Sequence, residues 1–143
     1  MEAQIIQKLR VYYFVAVGGV LLSMLSFSYN AWRLEVTEDN SNTRTAAFEM
    51  LHLLAEFEQI LYASHYDADP DAGSPRKGWV KVGLLSDLSF LMGEDTQIQA
   101  AVLKSSWSNH WASVPTQRRS VDALIAEVDV MREEIKRKLI ALE

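Results

Sequence analysis

The sequence contains no cysteine, and only three prolines and six glycines occur among its 143 residues. The absence of cysteine excludes disulfides, thiolate metal sites and cysteine nucleophiles, and it is compatible with either a reducing or an oxidising compartment. Two of the prolines and two of the glycines fall within residues 67–78. This segment is therefore the strongest loop signal in the chain.

Signatures of catalysis are also absent. The sequence has no GxSxG, no HExxH, no glycine-rich phosphate loop and no paired carboxylates in an apolar context. The three histidines (His52, His65 and His110) do not have metal-ligand spacing. We therefore expect a protein that is not an enzyme and that holds no cofactor or metal ion.

One acidic stretch invites a calcium-loop interpretation, because Asp67, Asp69 and Asp71 alternate along the chain. The motif then fails, since Gly73 falls at the seventh position instead of the sixth and Gly78 stands where a bidentate glutamate is required. A solvated acidic turn is the favoured interpretation.

The overall charge argues against one class of partner. The chain has 14 basic and 19 acidic residues and a net charge of −5. Phosphate backbones are bound by basic faces, so we expect no nucleic-acid partner.

A long apolar run is the most informative feature that is present. Residues 11–32 form 22 consecutive positions without Asp, Glu, Lys, Arg or His. About 20 apolar residues suffice for a helix to cross the hydrocarbon layer of a bilayer. Aromatic residues stand at both ends of the run, as they do at membrane interfaces: Tyr12, Tyr13 and Phe14 at one end, Tyr29 and Trp32 at the other. The run predicts a transmembrane helix, preceded by a short N-terminus of residues 1–10.

Charges flanking the run predict its orientation. Lys8 and Arg10 precede it, whereas Arg33 is followed by several acidic residues. Basic residues beside a first span tend to stay cytoplasmic, so we expect a cytoplasmic N-terminus in the inner (plasma) membrane and a periplasmic or extracellular C-terminal domain. A cleaved signal peptide is the alternative, and it places the domain on the same side.

One face of the predicted span is small or polar along its length. Its residues recur at spacings of three and four, which places them on one side of a helix. Such faces allow close backbone approach and hydrogen bonds between membrane helices, so we expect a transmembrane interface here with another subunit or a second copy. The members of this small-residue face are Ala16, Gly19, Ser23, Ser26 and Asn30.

The remainder of the chain reads as helices around one core. Residues 33–45 are a polar linker or a continuation of the membrane helix, and residues 46–143 form the outer domain. We expect helices over about 43–66, 79–92, 96–115 and 116–142, with a short strand at 79–82 as an alternative. Apolar residues that recur at helical spacing in each helix form stripes that we expect to face the core. These stripes are Ala47, Met50, Leu51, Leu54, Phe57, Ile60 and Leu61 in the first helix, Leu84, Leu85, Leu88, Leu91 and Met92 in the second, Ile98, Val102, Leu103, Trp107 and Trp111 in the third, and Val121, Leu124, Val128, Met131, Ile135 and Leu142 in the fourth. Gly93 is expected as a C-cap, and Asp95 or Thr96 as the following N-cap. The predicted fold is all-α, a single N-terminal span followed by a small antiparallel bundle of about four helices.

Aromatic residues in the outer domain supply a second candidate site. Trp107, His110 and Trp111 lie within about one helical turn, and Trp79 is available from another helix. They either line a ligand pocket or belong to the core and rim of the bundle.

These observations favour a protein that acts by binding partners over an enzyme. The predicted function is a single-pass membrane-anchored accessory or assembly subunit, whose partners are the lipid bilayer and other transmembrane subunits or a second copy. The alternative is an extracytoplasmic ligand-binding or sensory helical module that uses the aromatic residues.

Overall fold

The computed structural model describes residues 2–142, and side chains from residue 6 onward. The described chain is all-α, with four helices and no strand. Their bounds are α1 Glu2–His65, α2 Pro75–Ser89, α3 Glu94–His110 and α4 Arg118–Ala141. The chain divides into an N-terminal unit, Met1–Asp39, and a C-terminal unit, Asn40–Glu143.

Helix α1 contains both the predicted span and the first predicted helix of the outer domain. It is 64 residues long and carries one stretch that is long and apolar enough to cross a membrane. Residues 33–45 are helical throughout, so the structure favours the helix continuation over an irregular linker. Ser, Thr and Asn are poor interior helix residues, but here two hydroxyls are satisfied locally: Thr37 Oγ1 donates to Arg33 O, and Thr45 Oγ1 to Ser41 O.

The C-terminal unit has a single hydrophobic core to which all four helices contribute. The α1 side of this core follows the predicted helical period, with Met50, Leu54, Phe57 and Leu61 fully buried. The predicted seam of α4 is likewise buried from Val121 through Ile135: Val121, Leu124, Val128, Met131 and Ile135.

Contacts between helices fix their directions within this unit. Lys81 of α2 pairs with Glu56, while Leu91 beyond its end accepts a hydrogen bond from Thr43. Helix α2 therefore runs antiparallel to this part of α1. Arg44, early in this part of α1, contacts Leu142 at the end of α4, whereas the later Glu58 pairs with Arg132 in the middle of α4. Helices α1 and α4 are antiparallel as well.

Several predicted helix boundaries are wrong. The expected loop over 67–78 ends earlier, because Pro75 occupies the first turn of α2, where its missing N–H is no disadvantage. The alternative strand at 79–82 is part of this helix. Gly93, at φ 100°, is the N-cap of α3, so neither Asp95 nor Thr96 caps it. Helix α4 begins at Arg118, two residues later than expected.

The apolar pattern of α2 and α3 predicts their cores less well. Leu85, Met92, Leu103 and Trp107 are buried as expected. Five other apolar residues of the predicted stripes are exposed instead: Leu84, Leu91, Ile98, Val102 and Trp111. The two helices have apolar residues on more than one face, so their sequence does not specify which face is inside.

Candidate functional site

The small-residue face lies on the exposed surface of α1. All five of its residues are exposed, and the small side chains leave a shallow depression of about 700 Å³ along the helix. This depression is lined by Ala16, Gly19, Val20, Ser23, Met24, Phe27 and Ser28. Ser26 and Asn30 of the predicted face are not part of its lining.

Hydrogen bonding within the helix already satisfies one member of the face. Ser23 Oγ donates to Gly19 O at 2.8 Å, the usual back-bond of a serine in a helix. Because of this bond the Ser23 hydroxyl needs no hydrogen-bond acceptor from another chain, and the side chain stays against its own helix. No side chain therefore protrudes from the surface at Gly19 and Ser23, which suits close approach of another helix.

No packing contact in the described chain requires the small size of the glycines in this segment. A Cβ built on Gly18 or on Gly19 would meet no atom within 4 Å. Glycine in a helix interior is less favourable than alanine by about 1 kcal/mol. Gly19 therefore lowers helix propensity without any compensating contact in the described chain.

Aromatic pairs border the apolar run. Tyr13 and Phe14 lie edge to face, with 6.2 Å between ring centroids, and Tyr29 and Trp32 are separated by the same distance. The rings are exposed, in keeping with interfacial anchoring at both ends of a span.

The fold places the tryptophans of the second candidate site, Trp79, Trp107 and Trp111, in different environments. Trp107 is only 1% exposed, and its ring packs edge-on against two other rings. The distance between ring centroids is 5.2 Å to Phe57 and 6.2 Å to Trp79. Trp79 and Trp111 are 38% and 39% exposed. Trp107 is thus a core residue, Trp79 covers one side of it, and Trp111 lies on the rim.

Two ring nitrogens of this aromatic set, one in His110 and one in Trp107, give no indication of a bound ligand. His110 Nδ1 donates to Ser106 O at 2.8 Å, which occupies that ring nitrogen within its own helix. Trp107 Nε1 is buried and has no hydrogen-bond partner among the described residues. The indole is surrounded by close packing, since a Cβ on Gly78 would overlap its six-membered ring.

A groove between α1 and α2 is a further concave feature of the C-terminal unit. Its volume is about 790 Å³, and residues of two helices and the connecting loop line it. Its lining combines apolar residues with acidic and basic ones. The lining residues are Glu56, Gln59, Ile60, Tyr62, Ala63, Asp67, Ala72, Arg76, Lys77, Val80 and Lys81.

Ion pairs neutralise much of the charge in this groove. Lys81 Nζ lies 2.6 Å from Glu56 Oε2, and its hydrogen bond lowers the pKa of the Glu56 carboxyl. Lys77 Nζ lies 3.1 Å from Asp71 Oδ1. The sequence does not predict this groove, because the groove depends on how α1 and α2 are aligned against each other. Its one signal in the sequence is the cluster of basic residues Arg76, Lys77 and Lys81.

The acidic loop is organised by its own backbone. Asp69 Oδ1 accepts the N–H groups of Asp71 and Ala72 at 2.8 and 2.9 Å. These two hydrogen bonds, that of Ala72 first, lower the pKa of Asp69. Within residues 2–142, no three histidine or carboxylate side chains come together as a metal site. The loop is an Asx turn that connects α1 to α2.

Comparison of this chain with protein-family models, with curated proteins and with solved structures finds no match.

Proposed function

We propose that this chain is a single-pass membrane protein that acts by interaction, as an accessory or assembly subunit. In this proposal residues 11–32 cross the inner membrane, and the C-terminal unit is a small antiparallel helical bundle on its outer side. The small-residue face binds another transmembrane helix, from a different subunit or from a second copy. The outer bundle contributes further contacts to the same partner.

One observation carries the proposal. Gly19 lowers the helix propensity of an exposed segment, yet no atom of the described chain uses the space that it leaves. The same segment is apolar, so its surroundings are lipid or other membrane helices. Between membrane helices, close backbone approach is what drives association, and glycine and serine permit it.

The test compares two adjacent glycines. Gly18 and Gly19 are equally open within this chain, but Gly18 points away from the small-residue face. Gly19→Leu together with Ser23→Leu should abolish association in mild detergent, measured by co-purification from the native membrane and by cross-linking. Gly18→Leu, the matched control, should leave association intact. Equal effects of the two variants, or no effect of either, would contradict the proposal.

Topology has an independent test, because the chain contains no cysteine. Single cysteines introduced as Gln7→Cys and Asp71→Cys should react differently with a membrane-impermeant thiol reagent applied to intact cells or spheroplasts. Asp71→Cys is expected to be labelled and Gln7→Cys to be protected until the membrane is opened. The reverse pattern would place the C-terminal unit in the cytoplasm.

The groove between α1 and α2 supports a second candidate function, an extracytoplasmic ligand-binding module. Its volume of about 790 Å³ lies within the range of small-molecule sites. Arg76 and Lys77 would provide positive charge for an acidic ligand. A thermal-shift screen of small carboxylates and phosphates tests it, with Arg76→Gln as the variant that should lose any shift. A screen without any shift would exclude this candidate for those ligands.

A further inference from the structure

Two charged side chains of the groove between α1 and α2 differ from the others that line it. Five charged residues line the groove, and three of them, Glu56, Lys77 and Lys81, belong to ion pairs. Among the described residues, neither Asp67 nor Arg76 takes part in an ion pair or a side-chain hydrogen bond. The first turn of α2 contains no acidic residue that could neutralise Arg76. The groove therefore offers one free negative group and one free positive group.

Both free groups lie at the end of the groove next to the loop. A Cβ built on Gly73 would overlap the backbone of Ser64, so these two residues mark the place where the loop brings the end of α1 against the start of α2. Asp67 follows Ser64 by three positions, and Arg76 follows Gly73 by three positions. The ion pair that joins Lys81 to α1 lies farther along α2, toward the other end of the groove.

Apolar residues line the groove away from these two charges. Ile60 and Ala63 precede Asp67 along α1, and Val80 follows Arg76 along α2. The Val80 side chain is 58% exposed, although it lines a concave surface. An aliphatic group bound in the groove would cover this side chain and remove apolar surface from water.

We propose that this groove binds a small α-amino acid with an aliphatic side chain. The ammonium group pairs with Asp67, the carboxylate pairs with Arg76, and the side chain lies against Val80. An α-amino acid fits because both of its charges are on one carbon and its aliphatic part extends from that carbon. This inference rests on the second candidate function, the ligand-binding module, and names the ligand class of the same groove.

Ligands with one charge match the groove less well. A carboxylate or a phosphate would neutralise Arg76, but it would add negative charge at the end of the groove where Asp67 also lies. An amine would pair with Asp67 and be repelled by Arg76. Exposed ion pairs contribute little binding free energy by themselves, so the aliphatic part of the ligand is needed as well.

The test measures binding of matched compounds to the full chain in detergent by isothermal titration calorimetry, up to millimolar concentration. Leucine carries both charges and an aliphatic side chain, N-acetylleucine lacks the ammonium group, leucinamide lacks the carboxylate, and free glycine lacks the side chain. Leucine should bind, and the other three should bind much more weakly or not at all.

Protein variants locate the site. Asp67→Asn and Arg76→Gln should each weaken leucine binding about tenfold, because each removes a charge-assisted hydrogen bond to the ligand. Asp87→Asn and Arg119→Gln are the matched controls, since both remove an exposed charge outside the lining of the groove. The controls should leave binding unchanged. All four substituted side chains are exposed, so the melting temperature without leucine should change little.

Two results overturn this inference. Equal binding of leucine and N-acetylleucine does so and leaves the candidate of an acidic ligand intact. Absence of leucine binding, or leucine binding that the groove variants leave unchanged, also overturns it. The screen of carboxylates and phosphates then decides the second candidate function by itself. None of these results bears on the proposed membrane interaction, which the Gly19 and Ser23 variants test separately.

Discussion

The substitution Gly78→Ala tests how tightly the core is packed around Trp107. A Cβ at this position would lie 2.9 Å from Trp107 Cη2 and 3.0 Å from Cε2, and closer still to Cζ2. Trp107 is fully buried between Phe57 and Trp79, so its ring has no free direction in which to move. We expect Gly78→Ala to be destabilising even though alanine is the better helix former.

The magnitude follows from two opposing terms. Overpacking a well-packed core costs about 1–3 kcal/mol, whereas replacing glycine by alanine in a helix interior gains up to about 1 kcal/mol. Gly83 supplies the matched control: it lies in the same helix, and a Cβ there would meet nothing within 4 Å. Gly83→Ala should therefore be stabilising by about 0.5–1 kcal/mol. The two variants should differ by the overpacking term, about 1–3 kcal/mol.

The assay is thermal and urea unfolding of the full chain in detergent micelles, followed by near-ultraviolet circular dichroism, which reports on the environment of the tryptophans. Gly78→Ala should lower the midpoint, and combining it with Trp107→Leu should be less harmful than the sum of the two single changes, because the smaller side chain removes the overlap. If Gly78→Ala were as stable as Gly83→Ala, the packing argument would be refuted.

Three further predictions concern the α1 half of the C-terminal unit. The hydrogen bond from Tyr62 to Glu58, with partial burial, raises the pKa of Tyr62 to about 12, so ultraviolet titration should show one tyrosine that ionises well after the others and is missing in Tyr62→Phe. Because the folded-state pKa is raised, this contribution to stability is complete below the unfolded value near 10 and is lost as the pH rises toward 12. Partial burial acts to raise the pKa of Glu58, but hydrogen bonds from Tyr62 and Arg132 outweigh it and lower the pKa. The resulting stability is present above the unfolded pKa and lost as the pH falls through the folded one, so Glu58→Gln should cost about 1 kcal/mol in urea unfolding at neutral pH and little in acid; an equal loss at both would contradict this assignment. Ala68 has a φ of 51°, in the left-handed region, so Ala68→Gly should stabilise by about 1 kcal/mol, and a lower melting temperature would be inconsistent with that strain.

The sequence predicts the fold well where apolar residues occupy only one face of a helix. The α4 seam from Val121 to Ile135 and the α1 stripe from Met50 to Leu61 are confirmed as core, because one period accounts for nearly all of their apolar residues. Prediction fails in α2 and α3. There Leu84 and Leu85 are adjacent, only one can face inward, and the register with α1 decides which.

Some helix boundaries are predicted wrongly for a different reason. Several residues near a boundary can each cap a helix, and the sequence does not say which of them does so. Gly93 was interpreted as a C-cap because it follows an apolar run, yet its positive φ serves the start of α3 instead. Asp95 and Thr96 are ordinary N-cap residues, but an earlier turn at Gly93 leaves them inside the helix. The candidate groove was missed because Glu56 and Lys81 are brought together only by the tertiary fold.

Five of the six glycines differ in whether packing requires their small size, and this difference bears on the proposed function. Gly73 and Gly78 lie where a side chain would collide with Ser64 or Trp107, so packing within the C-terminal unit requires them. Gly18, Gly19 and Gly83 lie in open space, where a Cβ would meet no atom within 4 Å beyond the nearby backbone of its own helix. An open glycine does not by itself indicate a partner, since Gly83 in α2 is as open as Gly19. Gly19 differs from Gly18 because residues three and four positions away on its face, Ala16 and Ser23, are also small. The proposed function therefore predicts a partner helix that approaches on the side of Gly19, and not on the side of Gly18.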